Sequence, residues 1–155
     1  MSIKAIETVY QGFRFRSRLE ARWACFLTHL DVAYEYEPEG FTMNGMAYLP
    51  DFRITQPGSR AKYWLEVKGQ RPTPDEIEKA SRLSRTGTAV FIVWGDPVDA
   101  LMLTAGGVMV CVANVASLPL TDKPASVNLT WILCGLEYDR LYDAAIAARQ
   151  KRFEE

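Results

Sequence analysis

Glu66 and Lys68 stand two residues apart in the alternating stretch Lys62-Tyr63-Trp64-Leu65-Glu66-Val67-Lys68. On an extended strand successive side chains point to opposite faces, so this carboxylate and ammonium share one face while Leu65 and Val67 take the other. Asp51 lies fifteen residues before Glu66, on a segment whose Phe52 and Ile54 face the opposite way. That separation leaves room for a hairpin setting Asp51 beside Glu66. Two adjacent carboxylates repel unless a cation lies between them, and hard oxygen ligands suit Mg2+ or Mn2+, with water and a substrate phosphate in the remaining positions. Lys68 adds a positive charge that could orient a water, help deprotonate it if the lysine pKa is lowered, or neutralise charge building on phosphorus. Phosphodiester hydrolysis needs those parts: a Lewis acid on a non-bridging oxygen, an activated water and compensation of developing charge. The plain alternative is a surface salt-bridge group on an amphipathic hairpin.

The elements that must hold these residues follow from periodicity. Residues 17–30 carry Leu19, Trp23, Phe26, Leu27 and Leu30 at helical spacing, with Ser17 placed as the cap. Residues 33–54 change to short aromatic and β-branched segments broken at Pro38, Gly40, Gly45 and Pro50, the pattern of a strand meander. Residues 56–59 form the turn of the hairpin that ends at Lys68. Thr73, Pro74 and Glu76 predict a capping box opening a second helix, with Ile77, Ala80 and Leu83 on one side and Gly87 as terminator. The apolar run 89–94 predicts a strand covered on both faces. Beyond it, 98–104 and 108–115 are expected to pair across 105–107, 118–127 to form a loop, 131–136 to add a strand, and 137–153 to close the chain as an amphipathic helix. The expected fold class is α/β, a mixed sheet flanked by helices in the order helix, three strands, helix, strand, with extra C-terminal strands and a helix.

The string Leu49-Pro50-Asp51-Phe52 followed by Leu65-Glu66-Val67-Lys68-Gly69 resembles the PD-(D/E)XK nuclease superfamily, down to the proline before the aspartate. Phe15-Arg16-Ser17-Arg18-Leu19-Glu20 is similar to that superfamily's first helix. The resemblance covers about residues 13–95 of one 1–155 domain, leaving about 96–155 as a C-terminal elaboration. It implies a restriction-endonuclease-like core, with Asp51, Glu66 and the Val67 carbonyl as metal ligands, Lys68 as the catalytic lysine, and Glu20 as an auxiliary or second-metal ligand. Within the superfamily the nearest look is to transposon end-cleaving subunits and compact phage nucleases, then Holliday-junction resolvases. The implied activity is a Mg2+-dependent endonuclease, with Mn2+ as a substitute, that leaves a 5′-phosphate on DNA. RNA stays open as a substrate. One site per chain implies a homodimer or partner subunit for cutting both strands. The rival reading is an inactive nuclease-fold protein that binds nucleic acid or a protein partner.

Around this core Arg14, Arg16, Arg18 and Arg22 crowd the first helix, and Lys79 and Arg82 line the second, where they would hold phosphates or form solvated faces. Glu20 also completes a Ser17-x-x-Glu20 capping box, so its carboxylate has a competing role. Trp64 is open between stacking on a base and packing under the first helix. His29 has no Cys or Asp at ligand spacing and reads as structural, while Glu35, Glu37 and Glu39 read as a polar strand face.

The formal net charge of −1 gives no global attraction to polyanions, so nucleic-acid contact must come from local basic residues. Cys25, Cys111 and Cys134 are odd in number and set among apolar neighbours, which predicts buried reduced thiols and a cytoplasmic location. With no signal-like apolar segment and no run of about 18 apolar residues, neither export nor membrane insertion is expected.

Overall fold

A computed structural model describes residues 5–112 and 124–153 of the 155-residue chain. The chain opens with a hairpin of β1 (Thr8–Tyr10) and β2 (Phe13–Phe15), then enters helix α1 (Arg18–His29). Ser17 sets the helix start: its backbone is extended and its side chain accepts the Glu20 amide at 3.1 Å, satisfying a donor that has no intrahelical partner. Strand β3 (Ala33–Tyr36) follows, then a small hairpin of β4 (Phe41–Met43) and β5 (Met46–Tyr48), then β6 (Phe52–Thr55) and β7 (Lys62–Lys68). Helix α2 (Pro74–Ser84) starts with the expected capping box, Thr73 and Glu76 each bonding the other's amide. Strand β8 (Val90–Trp94) completes the order helix, three strands, helix, strand, with β4–β5 inserted between the first two strands.

The five-stranded sheet runs β3-β6-β7-β8-β9, where β9 is Gly107–Cys111. Only β7–β8 among its neighbouring pairs is parallel, so the sheet is mixed and flanked by helices. Strand β7 is covered on both sides. Tyr63, Leu65 and Val67 join the main apolar cluster with Trp23, Phe26 and Leu27 of α1. Trp64 lies in a second cluster with Ala80 and Leu83 of α2 and Ile92 of β8. Each fully buried Leu or Phe in these clusters contributes about 1.5–3 kcal/mol relative to exposure, so α1 and α2 are held to opposite faces by packing.

The C-terminal part departs from expectation in two places. Residues 98–104 do not pair with the described part of 108–115, of which 113–115 lie outside the described residues; most of 98–104 form α3 (Pro97–Met102), and β9 pairs antiparallel with β8 instead. Gly95-Asp96-Pro97 ends β8, but Asp96 and Pro97 are also a helix start, and Asp96 accepts the Asp99 amide at 3.0 Å. The glycines of 105–107 permit close approach rather than a hairpin turn, since a Cβ on Gly106 or Gly107 would collide with Trp94. Residues 131–136 are not a strand: they close α4 (Ala125–Cys134), which Gly135 ends at φ +61°. Leu129, Ile132 and Leu133 are buried, as are Ser126, Asn128 and Thr130, so the helix lacks the polar face that would have exposed its period. The expected loop 118–127 lies outside the described residues as far as 123, and α4 begins within its remainder. The closing helix is α5 (Tyr138–Gln150), whose Ala144, Ala145 and Ala148 are buried in the main cluster.

The three cysteines are free and buried. Among the described residues no helix is long and apolar enough to cross a membrane.

Candidate active site

The β6–β7 register pairs Phe52 with Leu65, which carries Asp51 to a place opposite Glu66. Two hydrogen bonds fix that pairing: the Asp51 amide donates to Glu66 Oε1 at 2.7 Å, and the Val67 amide donates to Asp51 Oδ2 at 2.8 Å. Val67 therefore touches the site through its N–H. Glu20 arrives from the first turn of α1, and its Oε2 accepts the Tyr36 hydroxyl at 3.0 Å. The hydroxyl oxygen of Tyr36 in turn accepts the Arg16 amide at 3.0 Å. Ser17 receives the Glu20 amide, but the Glu20 carboxylate turns to Tyr36, and its charge acts on Asp51.

Glu20 and Glu66 are buried, and Asp51 is half-buried beside them. Burial, then the charges of Glu66 and Glu20, raises the Asp51 pKa well above the ordinary range, against the Val67 amide. Burial also raises that of Glu66, opposed by Lys68, by the Asp51 amide and by a hydrogen bond from Tyr48. The donor set is all oxygen, which fits a hard divalent ion. Among the described residues no three Asp, Glu, His or Cys side chains form a ready-made cage.

Lys68 Nζ lies 3.5 Å from Glu66 Oε2 and 3.1 Å from Glu76 Oε2. Burial works against its ammonium, but Glu66, Glu76 and Asp51 outweigh burial and leave the pKa above its ordinary value. The surroundings of Lys68 thus favour its charged form. Glu76 is held below the usual carboxylate range: the Thr73 amide and Lys68 overcome the effect of burial.

These groups line a cleft of about 290 Å³ with Arg16, Tyr48, Leu49, Lys79 and Ile92. Of the basic residues expected to meet phosphates, Arg16 and Lys79 are at the cleft, with Arg16 also bridged to Glu37 at 2.7 Å. Arg14 pairs with Glu7 at 3.4 Å, Arg18 opens α1 half-buried, and Arg82 pairs with Glu78 at 2.9 Å. Arg22 is tied elsewhere, donating to the carbonyls of Ala148, Arg149 and Lys151 at the end of α5. Trp64 is buried against Phe41 and the α2 cluster, so it neither faces a base nor packs under α1. His29 sits structurally, its Nδ1 2.8 Å from the Cys25 carbonyl. Glu35 and Glu39 bridge Arg53.

Sequence reasoning missed three contributors. Tyr48, Tyr36 and Glu76 contact Glu66, Glu20 and Lys68 respectively. Tyr48 immediately precedes the string that carries the nuclease resemblance, and Glu76 shows as a capping residue, but nothing local marks either as a partner of the site. Comparison of the chain with protein-family models, with curated proteins and with solved structures finds no match.

Proposed function

We propose that this chain is a metal-dependent nuclease with a restriction-endonuclease-like core, hydrolysing phosphodiester bonds of DNA. The observation that carries the reading is the meeting of Asp51 and Glu66 with Lys68 in one cleft, with Glu20 of α1 acting on Asp51 from behind it. Asp51 and Glu66, joined by Glu20 and the Val67 carbonyl, would hold Mg2+ or Mn2+. When bound, the ion supplies Lewis acidity toward a phosphate oxygen and acidifies water.

The chain's own residues do the rest. Lys68 donates a charged N–H to a phosphate oxygen and compensates the charge that grows in the transition state. Lys79 and Arg16 meet neighbouring phosphates along the cleft. Tyr48 and Leu49 close one wall, and the Tyr48 hydroxyl fixes the Glu66 carboxyl group. Cutting both strands of a duplex together calls for a second copy or a partner subunit.

Labelled single-stranded, duplex and branched DNA, and RNA, incubated with the purified protein and Mg2+, Mn2+ or EDTA, test this directly. Cleavage is expected with either metal, absent in EDTA and lost in Lys68→Ala. No cleavage of any substrate by the folded protein, or equal cleavage by Lys68→Ala, would sink the reading.

A further inference from the structure

We infer that Glu76 is a positioning residue for Lys68, and that its bond from the Thr73 backbone amide is the fixture that holds it there. The catalytic consequence of this inference rests on the nuclease reading, whereas the pairing itself does not.

The Glu76 carboxylate has two oxygens and uses them differently. Oε1 accepts the Thr73 amide at 2.9 Å, as a capping box requires, and Oε2 lies 3.1 Å from Lys68 Nζ. A residue that ordinarily serves only its own helix is thereby turned into a bridge from the start of α2 to the end of β7. Thr73 bonds back to the Glu76 amide at 3.2 Å, which stabilises the start of the helix. The anchor is firm because Ala80 and Leu83 fasten α2 to the sheet.

Lys68 is the longer and looser partner. A lysine side chain has about 2 kcal/mol of rotamer entropy to lose when it is fixed, and Glu66 alone holds it at 3.5 Å. The second, shorter contact to Glu76 sets the ammonium on the cleft wall between two carboxylates. An ammonium has three N–H donors, enough to face both carboxylates and an anionic oxygen in the cleft that Lys68 lines.

The chemistry of the capping box provides a clean separation. Gln serves at this position as well as Glu, so Glu76→Gln keeps the acceptor for the Thr73 amide and removes only the charge facing Lys68. Thr73→Ala does the reverse: it loses a cap acceptor while the Thr73 amide still holds the Glu76 side chain.

Two measurements test the inference. In EDTA, thermal melts of wild type, Lys68→Met, Glu76→Gln and the double variant form a cycle. The shift in the double variant is expected to differ from the sum of the two single shifts, and strictly additive shifts would overturn the pairing whatever the activity. With Mg2+ and a cleaved substrate, Glu76→Gln is expected to lower kcat about 5- to 20-fold with KM within about twofold, the pattern of lost transition-state positioning. Thr73→Ala should lower Tm and leave kcat within about twofold. An unchanged kcat in Glu76→Gln, or an equal kcat loss in Thr73→Ala, would overturn the positioning role. Non-additive melts with no substrate cut by the wild type would leave the pairing standing, and would bring down the nuclease reading and the catalytic role together.

Discussion

Asp51 and Glu66 are tied to each other's strands by reciprocal hydrogen bonds: the Asp51 amide donates to the Glu66 carboxylate, and the amide next to Glu66, that of Val67, donates to the Asp51 carboxylate. Register and site geometry are therefore the same fact. A one-residue slip of β6 on β7 would lose both bonds and turn Asp51 to the opposite face from Glu66.

Asp51→Asn should separate stability from function. The Asn carbonyl still accepts the Val67 amide, while one of three crowded carboxylates disappears, so the variant in EDTA should be as stable as wild type or more stable by about 1 kcal/mol. Mg2+ should raise the wild-type Tm and leave that of Asp51→Asn unmoved. Thermal melts with and without the ion read both effects, and a variant that gained as much as wild type from Mg2+ would remove Asp51 from the ligand set.

Tyr36→Phe strips the hydroxyl that donates to Glu20 and accepts the Arg16 amide. A buried acceptor left without its donor costs about 1–3 kcal/mol, which urea denaturation should show as a lower midpoint with an unchanged slope. A loss below about 0.5 kcal/mol would mean that Glu20 finds another donor.

The basic residues divide by contact. Lys79→Gln and Arg16→Gln should each reduce the salt dependence of nucleic-acid binding by about one unit of log–log slope. Arg22→Gln should leave that slope alone and instead lower stability by about 1–2 kcal/mol, since Arg22 satisfies carbonyls at the end of α5. Binding isotherms across salt concentrations, paired with urea melts, distinguish the two groups.

Arg149 grips Asp96 through two bonds of 2.8 and 2.9 Å and reaches Asp99 at 2.8 Å. Burial alone would raise the Asp96 pKa, but Arg149 and the Asp99 and Val98 amides outweigh it and hold it below the ordinary 3.8. The folded state thus favours the ionised form. Its stabilisation is present above the ordinary pKa and disappears as pH falls through the lower, folded value. Arg149→Gln should cost about 1 kcal/mol at pH 7, the size suited to a partly exposed pair, and the gap to wild type should narrow in urea melts as pH falls below the ordinary 3.8. A gap of constant width from pH 7 to pH 3 would assign the loss to packing.

Most of what positions the carboxylates is local and so was legible in the sequence. The Ser17 and Thr73 caps, the alternation of 62–68 and the turn at 56–59 each act over a few residues and agree with the structure. The second half was less legible because its signals are ambiguous at short range. Gly95-Asp96-Pro97 ends a strand and starts a helix at once, and α4 is buried around most of its surface, so its apolar run carries no period to read. Tyr36, Tyr48 and Glu76 escaped for a different reason. Their roles depend on which strand end meets which helix start, a long-range outcome that no window of residues contains.

Glu20 and Glu76 each lie in the first turn of a helix, α1 on one face of the sheet and α2 on the other. A helix begins with unpaired N–H groups, equivalent to roughly half a positive charge. Two such ends therefore bracket the acidic cluster, each worth about 0.3–1 kcal/mol to a nearby carboxylate. The peptide backbone itself supplies a fixed countercharge that neither titrates nor diffuses away, and the cluster keeps that part of its compensation whatever occupies the cleft.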